Sequence, residues 1–393
     1  MTDKILFNGD NLRIARLMSG ISLNELGERV GTTRQYIHQL ETTDKKVPTK
    51  GLVDALAYEL EVDPRFFCYP LGNQVKEEEC HFRKLKTTLV SSRRESTARA
   101  TLMNKLIETL EAYLDLPVVN FPQFEISSLS DSEAVSIKCR KFWKLGDGPI
   151  KNMIRVAENA GAIVSTFGDI SEKIDALSLN RARPIIILNT TKNAPRIRMD
   201  IGHEMLHIIG HNGIETGNRD TESQADHFAS HFLLPRAALI REYTSRSKTR
   251  VDWSTIYSIK IKWGISARAI VYRLNQYGLI TPSQYRTANI HFSKTGQTKE
   301  EFHDDKVPLD LPELLPSSLT LLLQSYGKTF GGLLNELGIK AKFLANLTQT
   351  ENSLLPFLTD LNLPENITSI AAYKVMRSHN IKEGNPPEDK EGC

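Results

Sequence analysis

No apolar run in this 393-residue chain approaches the ~20 residues that a membrane-spanning helix needs. The opening MTDKILFNGDNLRIARLMSG lacks the apolar core of a secretion signal. Cysteine is scarce and scattered, at Cys68, Cys80, Cys139 and Cys393. With no CxxC spacing among them, neither a disulfide framework nor a cysteine-ligated zinc is indicated. Excess charge is also missing: the formal net charge is +3, so nucleic-acid contact must come from a local patch and not from the global field. These absences lead us to expect a cytoplasmic, nucleoid-associated protein kept reduced, with no membrane contact. What remains is ordinary for a soluble protein, 40% hydrophobic and 25% charged, and long enough for two or three domains with cores of their own.

The most informative segment is His203-Glu204-Met205-Leu206-His207. Two histidines four apart share one face of a helix and can clasp one metal ion, and Glu204, about 100° round, can serve as general base to a water the metal activates. A catalytic zinc keeps three protein ligands, and the candidates that follow are His211, Glu215, Glu222, His227 and His231. On a continuous helix, residues 203 and 211 stand roughly 12 Å apart along the axis, too far for one ion. HExxHxxG also begins the metzincin pattern, but that pattern needs a histidine where this chain has Gly213. Glu222 is the better candidate. Residues 221–234 (TESQADHFASHFLL) read as a helix whose stripe of Ala225, Phe228, Ala229, Phe232 and Leu233 turns Glu222 toward the first helix. Asp226, one turn on, is placed to accept from a ligating imidazole. His227 and His231 fall on the far side and are expected to be solvated. The alternative is an ordinary packed helix bearing a surface acid.

The run from Pro184 to Pro235, PIIILNTT…RMDIGHEMLHIIGH…TESQADHFASHFLLP, resembles the ImmA/IrrE family of gluzincin-type metallo-endopeptidases. The resemblance implies zinc as cofactor, His203, His207 and Glu222 as its ligands, and Glu204 as general base. Three positions depart from the family pattern: Gly202 where alanine is common, Leu206 where glycine is common, and Gln224 where a second acid often follows. None removes a ligand or the base, and Leu206 is the one expected to alter access to the site.

Nearer the N-terminus, short helical segments alternate with turns: Asn11 to Met18 ended by Gly20, Ser22 to about Val30 before Gly31, a third from near Thr33, and a fourth from Thr49 to Leu60. The pattern is helix-turn-helix. Gly31 to Glu41, GTTRQYIHQLE, resembles the recognition helix of XRE/Cro-type phage repressors. That resemblance implies contacts to double-stranded operator DNA from Thr33, Arg34, Gln35 and Gln39, and a buried ion pair between Arg16 and Glu41. Arginine can fork onto guanine and glutamine onto adenine in the major groove. Leu23 stands where such repressors usually carry a phosphate-contacting glutamine. Acids such as Asp54, Glu59 and Glu61 offset the basic residues of 1–67, so DNA binding would lean on a homodimer and a local surface. The rival reading is a small helical module that binds protein.

Between and beyond these segments the chain says less. Arg83, Lys84, Lys86, Arg93, Arg94 and Arg99 read as a solvated helix face, with an extension of the DNA contact as the alternative. Leu102, Leu106, Leu110 and Tyr113 read as an amphipathic stripe suited to a dimer or interdomain surface. The polar run 126–133 is a hinge candidate. A helix from Ala134 to Leu145, a second through Glu158, and strands at 162–166 and 184–189 precede the HExxH helix, and an edge strand at 184–189 could hold an extended peptide. Two helices follow from Trp253 to Tyr277, with Ser266 as a cap. Apolar helical stretches between Leu309 and Leu337, chiefly from Ser317 onward, and a frayed NPPEDKEGC tail follow.

The expected fold is mainly α, of the α+β class. It comprises a five-helix DNA-binding domain (1–70), a helical linker (71–133), a gluzincin-like α+β peptidase domain with a small sheet and the HExxH helix (134–292), and a helical region of no assigned role (293–393). The expected function is a DNA-binding transcription regulator whose zinc endopeptidase domain cleaves a repressor-like protein, or itself, to derepress prophage, mobile-element or stress genes. The alternative is a non-proteolytic regulator whose zinc domain senses a ligand or stress.

Overall fold

The computed structural model describes residues 7–43, 46–68, 71, 72, 74–82, 90–166, 175–214, 216–244, 250–326, 328–350, 354 and 357. Glu215, the basic residues Arg83, Lys84 and Lys86, Cys393 and the NPPEDKEGC tail lie outside the described residues.

Side-chain caps set the start of each N-terminal helix. Asn8, Ser22, Thr33 and Thr49 accept from first-turn amides of α1 (Gly9–Met18), α2 (Leu23–Arg29), α3 (Arg34–Thr42) and α4 (Lys50–Glu59). A 3-10 turn, Pro64–Phe67, is the fifth helical piece. Gly20 and Gly31 take φ of 66° and 69° at the ends of α1 and α2, where a side chain would be strained. Leu12, Leu26, Ile37, Leu40 and Leu56 form the centre of this bundle. Beside it Arg16 forks onto Glu41, Nε to Oε1 at 2.6 Å and Nη2 to Oε2 at 2.9 Å, and donates through Nη1 to the Ile21 carbonyl.

The charged stretch that follows builds core. After β1 (Cys80–Phe82), α5 (Val90–Glu111) buries Leu102, Met103, Leu106, Ile107 and Leu110 against its own chain. The apolar stripe read as a dimer or interdomain surface is thus largely used up within the molecule, with Tyr113 left exposed. Arg99 is likewise not part of a solvated stripe. It is buried and donates to the carbonyls of Asn346 and Leu347 at 2.8 and 2.9 Å. The polar run 126–133 is a helix start and not a hinge, because Ser128 and Asp131 close a capping box on α6 (Leu129–Phe142).

The sheet has the order β1-β3-β4-β2, with β2 (Ile163–Thr166), β3 (Ala176–Leu179) and β4 (Ile185–Leu188). β2 runs parallel to β4, while β3 is antiparallel to both β4 and β1. The strand read as an edge is therefore central, and the edge it was meant to offer is occupied on both sides. Side chains alternate between two cores, as the two-residue period of a strand requires. Ile163, Leu177, Leu179, Ile185 and Ile187 face α5 and the N-terminal bundle; Val164, Ala176, Ile186 and Leu188 face α6, α7 (Met153–Asn159), α8 (Ala194–Gly210) and α9 (Arg219–Leu233).

A third core, around Trp263 and Phe292, holds α10 (Arg236–Glu242), α11 (Trp253–Trp263), α12 (Ala267–Gln276) and α13 (Pro282–Lys294). The chain then returns to the first core through α14 (Leu314–Ser325), α15 (Phe330–Leu337) and α16 (Ala341–Thr348). Asp63 donates to the Gly338 carbonyl and Lys340 to that of Glu61, which ties this return to the N-terminal bundle. On the way Asp310 meets the buried Arg198 of α8 at 2.8 Å and accepts from the Met153 amide at 2.7 Å. No helix among the described residues is long and apolar enough to cross a membrane.

Candidate functional site

Asn193 caps α8 and Pro195 pre-sets its first turn. The helix is then buried on nearly every side, which makes it a central strut. α9 lies close against it at Gly202, where an added Cβ would meet Ala229 Cβ at 3.0 Å and Ala229 Cα at 3.1 Å. That closeness explains a glycine where alanine is common. Leu206 points into the apolar core and does not line the site, so it leaves access unaltered.

Where the two helices face each other, three donors converge. His203 Nε2 and His207 Nε2 are 3.0 Å apart. Glu222 Oε2 is 3.4 Å from the first and Oε1 is 3.6 Å from the second. Ligand atoms of the three residues all lie within 4.8 Å of one another, and both histidines are fully buried.

The neighbours decide where the protons sit. Asp226 accepts from His203 Nδ1 at 2.9 Å, which leaves the lone pair of a neutral His203 on Nε2. Gln224 Oε1 faces His211 Nε2 at 2.9 Å, so His211 donates there and accepts at Nδ1. His207 must then donate from its own Nδ1 to His211 Nδ1, 2.8 Å away, and it too turns a lone pair inward from Nε2. Burial depresses the His211 pKa and keeps that ring neutral. Glu222 Oε1 is buried with no hydrogen-bond donor among the described residues. With these tautomers two imidazole nitrogens and a carboxylate face one another, a donor set of the kind that holds zinc. His211 and Gln224 were not read as part of the site, although the 203/207/211 spacing placed His211 on the right face.

Glu204 is fully buried beside these donors, and the Ser178 hydroxyl of β3 donates to its Oε2 at 2.5 Å. Opposite Ser178 in the ladder stands His81 of β1. The His81 ring stacks on His207 with centroids 5.1 Å apart and planes 17° from parallel, and its Nδ1 lies 2.7 Å from Thr216 Oγ1. Desolvation, with the nearby His211 ring adding to it, pushes the His81 pKa down to about 4. Neither strand was anticipated from the sequence, since β3 is four residues long and β1 three.

The far side of α9 is not solvated as expected. α6 packs over it, so His231 is only 2% exposed and His227 is half-buried.

In the N-terminal bundle Thr33, Arg34 and Gln35 are exposed at the start of α3, and Gln39 is half-buried, its Oε1 accepting from Lys46. Thr33 also caps the helix through the Tyr36 amide. Leu23 packs partly against the bundle core.

Comparison with known families finds two matches within the chain. Residues 9–65 match a family described as a helix-turn-helix domain. Residues 158–275 match a peptidase family described as the IrrE N-terminal-like domain. No curated protein matches the chain. The chain joins a helix-turn-helix domain to an ImmA/IrrE-type domain. It is a regulator with a protease-like domain. The IrrE-like match takes in β2 to β4 and α8 to α11 with most of α12; β1, α6 and the C-terminal helices lie outside both matches.

Proposed function

We propose that this regulator binds operator DNA as a homodimer through the Thr33, Arg34, Gln35 and Gln39 face of α3. We further propose that it hydrolyses a peptide bond of a repressor-like protein at a zinc ion held by His203, His207 and Glu222. In this reading the DNA-binding unit is residues 1–70 and the peptidase unit 134–292, with prophage, mobile-element or stress genes derepressed by the cut. The observation that carries it is the convergence of two imidazoles and a carboxylate, their ligand atoms within 4.8 Å of one another, beside the buried Glu204. Zinc, when bound, supplies a Lewis acid for the scissile carbonyl and the attacking water. Asp226 and the His211–Gln224 pair hold the two imidazoles in the ligating tautomer. Glu204 takes the water's proton and passes it to the leaving amine, and Ser178 holds its carboxylate in place. Incubating the zinc-loaded protein with candidate repressors tests this: cleavage by wild type and none by Glu204→Gln is expected. Intact substrate in both arms would leave the non-proteolytic zinc sensor as the better account.

The pairing of β1 with β3 favours a second feature, control by the chain's own segment. An extended substrate is most simply held by backbone pairing to a sheet edge, and β3 is the strand that carries Ser178 beside Glu204. β1 already holds that edge, with His81 over His207. We infer that the resting site is covered from within, so a substrate strand must displace β1, or residues 80–82 themselves are presented for cutting. His81→Pro removes a ladder donor and should uncover the site. Faster cleavage of an added substrate than wild type is expected, and an unchanged rate would contradict the covering role.

A further inference from the structure

The face of α9 away from the first centre carries a group of side chains for which the proposed reaction has no use. Glu133 comes from α6, and His227 and His231 stand four apart on α9. Ligand atoms of all three lie within 4.8 Å of one another. His231 Nδ1 lies 2.7 Å from the His227 carbonyl and donates to it, which leaves its Nε2 lone pair facing Glu133 Oε2 at 3.5 Å. His227 Nδ1 is buried with no hydrogen-bond partner among the described residues. The two rings lie close, centroids 4.1 Å apart. The Tyr277 hydroxyl, 2.5 Å from His231 Nε2, donates to that lone pair, so a metal ligated there takes the place of this hydrogen bond.

From these observations we propose that Glu133, His227 and His231 form a second metal site. It is distinct from the HExxH centre, its two histidines standing roughly 7 and 13 Å along α9 from Glu222 and on the opposite face. Two imidazoles and a carboxylate, with one ring nitrogen fixed as donor to backbone, suit a divalent cation of the zinc or cobalt type. An unpartnered buried nitrogen is costly, and ligation answers that cost. Two cations lie nearby and are engaged elsewhere: the Arg273 guanidinium donates to the carbonyls of Ser230 and Leu234 and stands 3.5 Å from the Tyr277 hydroxyl, and Arg236 lies over the Tyr277 ring, 4.6 Å from its centroid. Burial depresses the pKa of both histidines, which keeps them in the neutral form that ligates. Metal here would clamp α6 to α9 beside the end of α12, and α9 is also the helix that carries Glu222. The role is structural or regulatory, and it does not depend on whether the first centre cleaves anything.

Metal content of the full-length chain tests this directly. The protein is equilibrated with Zn2+, and separately with Co2+, freed of excess metal and measured by mass spectrometry. Glu133→Gln and His227→Gln, both at half-buried positions, should each hold one ion per chain fewer than wild type, whatever the first centre holds. Glu222→Ala should keep one Co2+ with a tetrahedral-type visible spectrum, and adding Glu133→Gln to it should abolish that spectrum. Circular dichroism establishes that each variant is folded. Equal metal content in folded wild type, Glu133→Gln and His227→Gln would overturn the proposal.

Discussion

At the scale of single residues, the groups that would hold metal are distinct from the group that would move protons. Glu204→Gln should keep wild-type zinc content and lose cleavage by a factor of about 10² or more. His207→Ala and Glu222→Ala should lose the zinc itself, as read by metal analysis after dialysis. Gln224 acts one step back, through His211, so Gln224→Leu should weaken zinc binding by roughly 10- to 100-fold while Gln224→Glu largely restores it. A competitive chelator titration measures both, and equal affinity in all three proteins would contradict the relay. His203, Glu204 and His207 were legible because helical spacing alone places them together, and Glu222 because the apolar stripe of α9 fixes its direction. His211 is too far along the helix to share one ion with His203, and its hydrogen bond to His207 depends on a ring orientation that spacing does not encode. His81 and Ser178 were invisible for a related reason: each meets the site only through strand pairing with distant sequence. His231 was misread because solvation was inferred from one helix alone, whereas α6 covers that face.

At the scale of elements, caps and glycines made the N-terminal bundle readable to within two residues at each helix start, since each cap is a local event. The surface it offers is the start of α3. Arg34→Ala should weaken operator binding by about 1–3 kcal/mol, or roughly 5- to 150-fold, if it forks onto a base. Fluorescence anisotropy at one fixed salt concentration checks this, and an unchanged affinity would remove Arg34 from the interface. Short strands were the hardest elements to read, because three or four residues carry too little alternation to stand out. Between α8 and α9 the controlling contact is the missing side chain of Gly202. Gly202→Val would press into the Ala229 backbone and wedge the helices apart. We expect a lower thermal midpoint together with loss of zinc, and retention of both would show that the helix spacing is not critical to the centre.

At the scale of the whole molecule, helices of the C-terminal region were legible from their apolar stripes, but what they cover was not. Which stripe meets which is settled by tertiary pairing: α14 to α16 complete the core that also holds α5, the N-terminal bundle and one sheet face. Asp310 joins this region to α8 through Arg198, and Asp310→Ala leaves a buried guanidinium without its counter-charge. Removing one partner of such a pair costs about 3–5 kcal/mol, so denaturant unfolding should shift to a clearly lower midpoint. A chain ended before Leu309 should expose the first core and lose DNA binding and metal binding together. The central claim is that the HExxH centre cuts protein inside cells. New N-termini across the cellular proteome, compared between wild type and Glu204→Gln with and without DNA damage, test it most directly. The account predicts at least one cleaved protein, in a repressor-like chain or between the modules of this one, present with wild type and absent with Glu204→Gln. Identical sets of N-termini under both conditions would contradict it.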